Sequence, residues 1–216
     1  MRDFEVRIEK CDTVAEDHDR IRKQLCARDE ETIEQRIARV QRVKVQRVIP
    51  LEWFSTASTE CRDMFIDGHF YGCICLAQSV GEGIGKFVLE VHREGIGKQQ
   101  WPVKNAKGVK GKKLLKTLKG LKRGTRNGHP MCVLTDKCLD AFTRIEGNDR
   151  NDFHHLNRNI PIDLAALEQR AEECVTALYD IESELFGCEF GASLTPNQRQ
   201  YWRDAEKYTK VFLRAY

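Results

Sequence analysis

Phe70-Tyr71-Gly72-Cys73-Ile74-Cys75-Leu76-Ala77-Gln78-Ser79-Val80-Gly81-Glu82-Gly83-Ile84-Gly85-Lys86-Phe87-Val88-Leu89-Glu90-Val91 is the stretch on which the architecture turns. Phe70, Ile74, Ala77, Val80, Ile84, Phe87 and Val91 recur at intervals of three or four, the repeat of one helix face. A long buried helix is predicted. Gly81, Gly83 and Gly85 inside it each cost about 1 kcal/mol against alanine, so they require a compensating reason. Gly81 and Gly85 share a face, which predicts either the close crossing of another helix or a dimer seam. Gly81 to Phe87 resembles a phosphate-binding loop only superficially, because the spacing and the Ser or Thr after lysine are missing and the run lies inside a helical pattern.

On the carboxyl side, residues 95 to 126 read as a basic insertion. Its first part, rich in Gly and Lys with Pro102, predicts an extended loop; Leu114, Leu115, Leu118 and Leu121 then mark a short amphipathic helix with lysines on its other face. Gly128, His129 and Pro130 break the chain before the next apolar face, Met131, Leu134, Cys138, Phe142 and Ile145. A further helix runs through Leu164, Leu167, Ala171, Cys174, Leu178, Ile181 and Leu185, capped near Asp163. Thr195-Pro196 opens a last helical face through Tyr201, Trp202, Ala205, Tyr208 and Phe212. The reading is a mainly α protein: an antiparallel helical bundle over residues 51 to 190 and a helical tail over 191 to 216. Residues 1 to 50 read as an appended, mainly helical region. Phe4, Val6 and Ile8 suit one short strand there, and Thr13 to Val40 suits one or two charged helices through Ile21, Leu25, Ile33 and Ile37. Val43, Val45 and Val48, ending at Pro50, suit a strand, a helix end or a linker.

With 216 residues, 41% hydrophobic and 32% charged, the chain supports one main core, and no apolar run approaches the roughly 20 residues a membrane span needs. The charged start Met1-Arg2-Asp3-Phe4-Glu5 is unlike a signal peptide, so a cytoplasmic location is expected. The nine cysteines include no C-x-x-C pair. Cys73, Cys138 and Cys174 fall at apolar positions and are expected to fill the core as reduced thiols. No cofactor or metal is called for, since His154, His155, Cys132 and Cys138 lack ligand spacing.

The net charge of +3 conceals an asymmetry: no acidic residue lies between Glu94 and Asp136, while that interval holds eleven Lys and Arg. Lys104, Lys107, Lys110, Lys112, Lys113, Lys116, Lys119, Lys122, Arg123 and Arg126 make a candidate surface for a nucleic-acid backbone. Trp101 is a candidate base-stacking residue, with a packed loop anchor as the competing reading.

The densest polar cluster is Glu146-Gly147-Asn148-Asp149-Arg150-Asn151-Asp152-Phe153-His154-His155-Leu156-Asn157. If a helix begins near Asp149, Asn151 and His155 lie one turn apart on one face, Arg150 swings toward them, and Phe153 with Leu156 anchors the turn in the core. The bland reading is a capped helix start whose polar groups satisfy local backbone.

Here the chain resembles the HEPN superfamily of small helical nucleases, whose mark is an arginine, a polar residue, three further residues and a histidine. Arg150-Asn151-Asp152-Phe153-His154-His155 fits that mark without a gap. The helix beginning with Asp67-Gly68-His69-Phe70 looks like the long second helix of that family, and the helix over 163 to 186 extends the likeness, which covers roughly residues 53 to 187. The glycines of the long helix and the basic insertion depart from the family pattern. The resemblance implies metal-independent RNA cleavage of the toxin or antiviral-defence kind, by attack of a 2′-hydroxyl on the adjacent phosphate. His155, with His154 as the lesser candidate, would carry the proton, Arg150 would hold phosphate charge, and Asn151 would orient either group. It further implies a homodimer with a composite site, and an antitoxin, sensor or effector protein that restrains or activates it. The rival classes are a non-catalytic helical module that binds RNA, a nucleotide or a protein such as a nucleotidyltransferase, and a structural adaptor.

Overall fold

The computed structural model describes residues 14–44, 48–49, 52–96, 111–121, 125–126, 129–130, 134–147, 152–153, 163–187, 195, 198–199, 201 and 212–213. Six helices stand out among them: α1 (Val14–Arg42), α2 (Glu52–Ile66), α3 (Phe70–Ile96), α4 (Gly111–Leu121), α5 (Asp136–Glu146) and α6 (Leu164–Phe186). Four two-residue strands accompany them: β1 (Val48–Ile49), β2 (Thr125–Arg126), β3 (His129–Pro130) and β4 (Phe212–Leu213). β1 pairs antiparallel with β4, and β2 with β3. The expected mainly α bundle is present.

The chain divides into two compact units, Met1–Ala38 and Arg39–Tyr216. The described part of the first is a single continuous helix in which Ile21, Leu25, Ile33 and Ile37 are all exposed. The second unit contains the bundle. The strand expected at Phe4, Val6 and Ile8 lies outside the described residues. The loop expected over 95 to 111 is helical at its two ends, Gly95 and Ile96 closing one helix and Gly111 opening the next, and its residues 97 to 110 lie outside the described residues. Of the three readings open for Val48, it is the strand that forms.

α2 and α3 form a hairpin. Their turn is Asp67, Gly68 and His69, with Gly68 at φ 83°, the left-handed region that a side chain rarely adopts. This corrects the expectation that Asp67 begins the long helix, which opens instead at Phe70. α2 itself carries the repeat Phe54, Ser58, Cys61 and Phe65, with Cys61 and Phe65 wholly buried. The face is weak in sequence because serine occupies a core position.

α5 runs antiparallel to α6. Lys137 in the first turn of α5 lies 3.3 Å from Asp180, late in α6, whereas Arg170, early in α6, reaches the far end of α5. The caps obey the sequence: Thr135 Oγ1 accepts from Cys138 N at 3.1 Å, and Asp163 accepts from Ala165 N at 3.2 Å. Thr195 opens a turn with a reciprocal capping box, Gln198 N donating to Thr195 Oγ1 at 3.3 Å and Thr195 N to Gln198 Oε1 at 2.8 Å. At Phe212 the expected helical face is not formed, since Phe212 and Leu213 are strand residues; Trp202, Ala205 and Tyr208 lie outside the described residues. The pairing with β1 outweighs the helical repeat at this position, where an aromatic residue has little helix propensity to oppose it.

The glycines of α3 find their reason in packing. A Cβ on Gly81 would stand 2.9 Å from Ile145 Cγ2, one on Gly83 would stand 2.7 Å from Phe54 Cε1, and one on Gly85 would stand 3.0 Å from Leu114 Cδ2. The crossing predicted from Gly81 and Gly85 is therefore made to α5 and α4 of the same chain. Between these helices Ile74, Ala77, Ile84, Phe142, Ala171, Cys174 and Ile181 are almost completely buried. Cys61, Cys73, Cys138 and Cys174 are core residues, and burial pushes the thiols of Cys61, Cys73 and Cys138 far above their ordinary range. They pack as neutral small hydrophobes.

Two arginines close helix ends. Arg39 Nη1 donates to the Ile66 carbonyl at 3.1 Å while its Nε meets Glu168 at 3.3 Å. Burial acts to raise the Glu168 pKa, but its hydrogen bonds and charge interactions with Arg39 and Arg42 outweigh this and hold it below the usual value. That contribution to stability is therefore complete above the ordinary carboxylate range and is lost as pH falls through the lowered folded value. Arg170 donates through Nη1 to the Arg144 carbonyl at 2.9 Å and through Nη2 to the Ile145 carbonyl at 3.3 Å. Arg170→Ala leaves both carbonyls without this donor and is expected to cost about 1–3 kcal/mol. Urea unfolding should register a lower midpoint at unchanged slope, and an unchanged midpoint would discount the cap.

Candidate functional site

The polar cluster lies in the connection between α5 and α6, and its middle is described. Asp152 and Phe153 are helical, and Phe153 is 1% exposed. The Tyr71 hydroxyl donates to the Phe153 carbonyl oxygen, and the two rings are tilted at a centroid distance of 5.5 Å. Burial, and secondarily Cys75, pushes the Tyr71 phenol above its ordinary range, so the hydroxyl remains a donor at neutral pH. Tyr71 belongs to the first turn of α3, so the aromatic of the polar hexapeptide is fastened to the start of the central helix. The expectation that Phe153 faces the core holds.

Arg150, Asn151, His154 and His155, the candidate catalytic residues, lie outside the described residues, as does Leu156. Trp101, Lys104, Lys107, Lys110, Lys122 and Arg123 do also. For Arg126 the backbone is described, in β2 opposite His129 of β3. Lys112, Lys113, Lys116 and Lys119 are described, and all four are exposed. They occupy the outer side of α4, whose inner side buries Leu114 and Leu118 at 1% and 0% exposure. The amphipathic pattern read from the leucines thus fixes which way the lysines point: apolar attachment to the bundle turns four ammonium groups toward solvent. Among the described residues no group of three or more His, Cys, Asp or Glu is arranged to hold a metal ion.

The face of α3 that carries Tyr71 continues through Cys75, Gln78 and Glu82, at steps of three and four residues. It contains groups that the sequence reading passed over. Gln78 is wholly buried, Glu82 is 7% exposed and forms an ion pair with Lys86, and Glu146 at the end of α5 is 4% exposed. The periodicity named the apolar residues of α3 and was blind to this stripe, because a polar residue flanking a core face is ordinarily solvated. Its available signal was Gln78 directly after Ala77 in an otherwise apolar turn.

No helix among the described residues is long and apolar enough to cross a membrane. No protein-family model matches the chain, and no curated protein and no solved structure matches it.

Proposed function

We propose that this protein is a HEPN-like endoribonuclease that cleaves RNA without a metal ion. In this reading an imidazole, that of His155 with its neighbour His154 as the lesser candidate, takes the proton of a ribose 2′-hydroxyl. The oxygen attacks the adjacent phosphorus, and the P–O5′ bond breaks. A second imidazole returns a proton to the departing 5′-oxygen, leaving a 2′,3′-cyclic phosphate and a 5′-hydroxyl. Arg150 holds the phosphate oxygens through its planar fork, Asn151 orients the groups, and a second copy of the chain supplies the matching motif. Restraint by an antitoxin or activation by a sensor, inside the cytoplasm, belongs to the same proposal.

The observation that carries the reading is the anchoring of Phe153 by Tyr71. A buried aromatic in the middle of the hexapeptide gives an otherwise polar segment a fixed attachment to the bundle, which a site requiring positioned side chains needs. The outward lysines of α4 add a cationic face suited to phosphates.

The test is incubation of the purified chain with total RNA in EDTA, with mapping of the new ends. Cyclic phosphate and 5′-hydroxyl ends support the proposal; intact RNA, or 3′-hydroxyl ends, refute it. The lysine face has its own expected result. Replacing Lys112, Lys113, Lys116 and Lys119 together by glutamine should weaken RNA binding and reduce the salt slope of log K by roughly 3, at about 0.7 per single-strand phosphate contact. Fluorescence titrations at several salt concentrations measure it, and an unaltered slope would remove α4 from the interface.

The second reading, a non-catalytic module that binds RNA, shares the lysine face and differs in yielding no cleaved ends.

A further inference from the structure

Residues 21 to 31 of α1 are exposed on every side of the helix. A lone helix in water is only marginally stable, and most helices are held by the packing of one face. α1 has such a face to offer. Ile21, Leu25, Asp29, Ile33 and Ile37 follow one another at steps of four, and the four apolar members of this row are between 43% and 46% exposed. A row of that spacing inclines across the helix axis and forms the ridge that interlocks with a like ridge where two helices cross at about −50°.

The charges around the row indicate its occupant. Residues 20 to 28 contain Arg20, Arg22, Lys23 and Arg28 and no acidic residue, whereas residues 29 to 35 contain Asp29, Glu30, Glu31 and Glu34 and no basic one. The side chains of Arg22, Lys23, Arg28, Glu30, Glu31 and Glu34 enter no ion pair among the described residues. The apolar row is symmetric about the point where the two blocks meet, with Leu25 and Ile33 four residues to either side of Asp29 and Ile21 and Ile37 eight. A second copy turned end for end about Asp29 therefore sets Leu25 against Ile33. It also sets residues 20 to 28, net +4, against residues 30 to 38, net −2 because Arg36 offsets one of three glutamates. A copy laid parallel and in register meets each block with its like. Charge order thus favours one orientation and opposes the other. A pattern that mirrors itself in this way is what a two-fold contact between identical chains requires. Asp29, the polar member of the row, falls on the axis, where one polar residue in an apolar seam sets the register at a cost in stability.

We propose that α1 pairs antiparallel with α1 of a second copy of this chain, centred on Asp29. The contact stands apart from the nuclease reading, since α1 precedes residues 53 to 187, which carry the HEPN likeness, and a composite site built from two hexapeptides is a different meeting of the two copies.

The experiment uses the full chain with Cys26→Ser, so that an introduced thiol is the one cysteine of α1. Asp29→Cys in this background should give a disulfide-linked dimer under mild oxidation, joined 29 to 29 on peptide mapping. Ile21→Cys should not join to itself, because antiparallel copies hold those two residues about 24 Å apart at 1.5 Å per residue. Reversing Arg22, Lys23 and Arg28 to glutamate, or Glu30, Glu31 and Glu34 to lysine, should each slow the 29-to-29 link by roughly tenfold, and an equal mixture of the two reversed chains should restore it. All six positions are exposed, so the fold tolerates the changes. An Asp29→Cys chain that stays monomeric on a non-reducing gel overturns the proposal, and so does an Ile21→Cys self-link of equal yield, the mark of parallel pairing or of unordered collision. Reversed chains that link as fast as the parent also overturn it. A chain that sediments as a dimer yet forms no link at residue 29 does the same and assigns dimerisation to another contact.

Discussion

His155→Ala is expected to lower the rate of RNA cleavage by about 10²–10⁴-fold, the range that a positioned general acid or base contributes. Arg150→Ala should cost about 10²–10³-fold, as removal of one group that stabilises transition-state charge does. The two losses arise differently and are separable. On the proposed mechanism, loss of the proton carrier removes one limb of a bell-shaped dependence of rate on pH. Without the guanidinium the chain retains both limbs, because the phosphate oxygens, not the proton transfers, have lost their partner. Mixing the two inactive variants offers a sharper check on the two-copy site. If each copy supplies one complete set, mixed dimers contain a site with one His155 and one Arg150 remaining, and activity in the mixture should differ from either variant alone. Cleavage by both single variants at the parental rate would remove these residues from the chemistry. His154→Ala serves as the control and is expected to have the smaller effect.

The second large effect is on stability. Phe153 is 1% exposed and packs with its ring tilted against that of Tyr71, so Phe153→Ala is expected to cost about 3–5 kcal/mol, the range for truncating a buried phenylalanine. At roughly 2–4 °C per kcal/mol for a chain of this size, thermal unfolding should shift downward by on the order of 10 °C. Tyr71→Phe removes only the hydroxyl that meets the Phe153 carbonyl and should cost about 1 kcal/mol. The comparison separates two roles of the same contact. If anchoring matters to the site, Tyr71→Phe should reduce RNA cleavage by more than its small stability loss explains, at temperatures where both proteins are fully folded. A Phe153→Ala protein that melts with the parent would show that the buried ring is not a structural anchor.

Much of this architecture is legible in the order of apolar residues, because a helix needs only one face to be named. Phe70 to Val91 revealed α3, and Leu164 to Leu185 revealed α6, through a repeat that packing then used, except at Leu164, which is 64% exposed in the first turn of α6. Caps were legible for the same reason: Asp163 and Thr195 act on backbone two or three residues away. α2 was harder, since Ser55 and Ser58 are buried where a hydrophobic pattern wants carbon. The pairing of Phe212 with Ile49 was beyond reach, as it joins residues 163 positions apart and nothing local distinguishes a two-residue strand from a frayed helix. The candidate site divides similarly. Phe153 was readable as an anchor from its apolar character in a polar run, and the outward lysines of α4 from the leucines between them. Tyr71 and Gln78 were not, because their importance depends on which segment crosses α3, and a sequence gives no register between distant elements.

The antiparallel clasp of Val48 with Leu213 and Ile49 with Phe212 has a mechanical consequence. It ties together two points of the chain between which the whole bundle is strung, in the manner of a drawstring. Tension applied from beyond both strands is borne first by this small ladder, and the helices between are shielded from load until it parts. A protein pulled from outside the clasp would therefore yield at its weakest seam before its densest packing feels any strain.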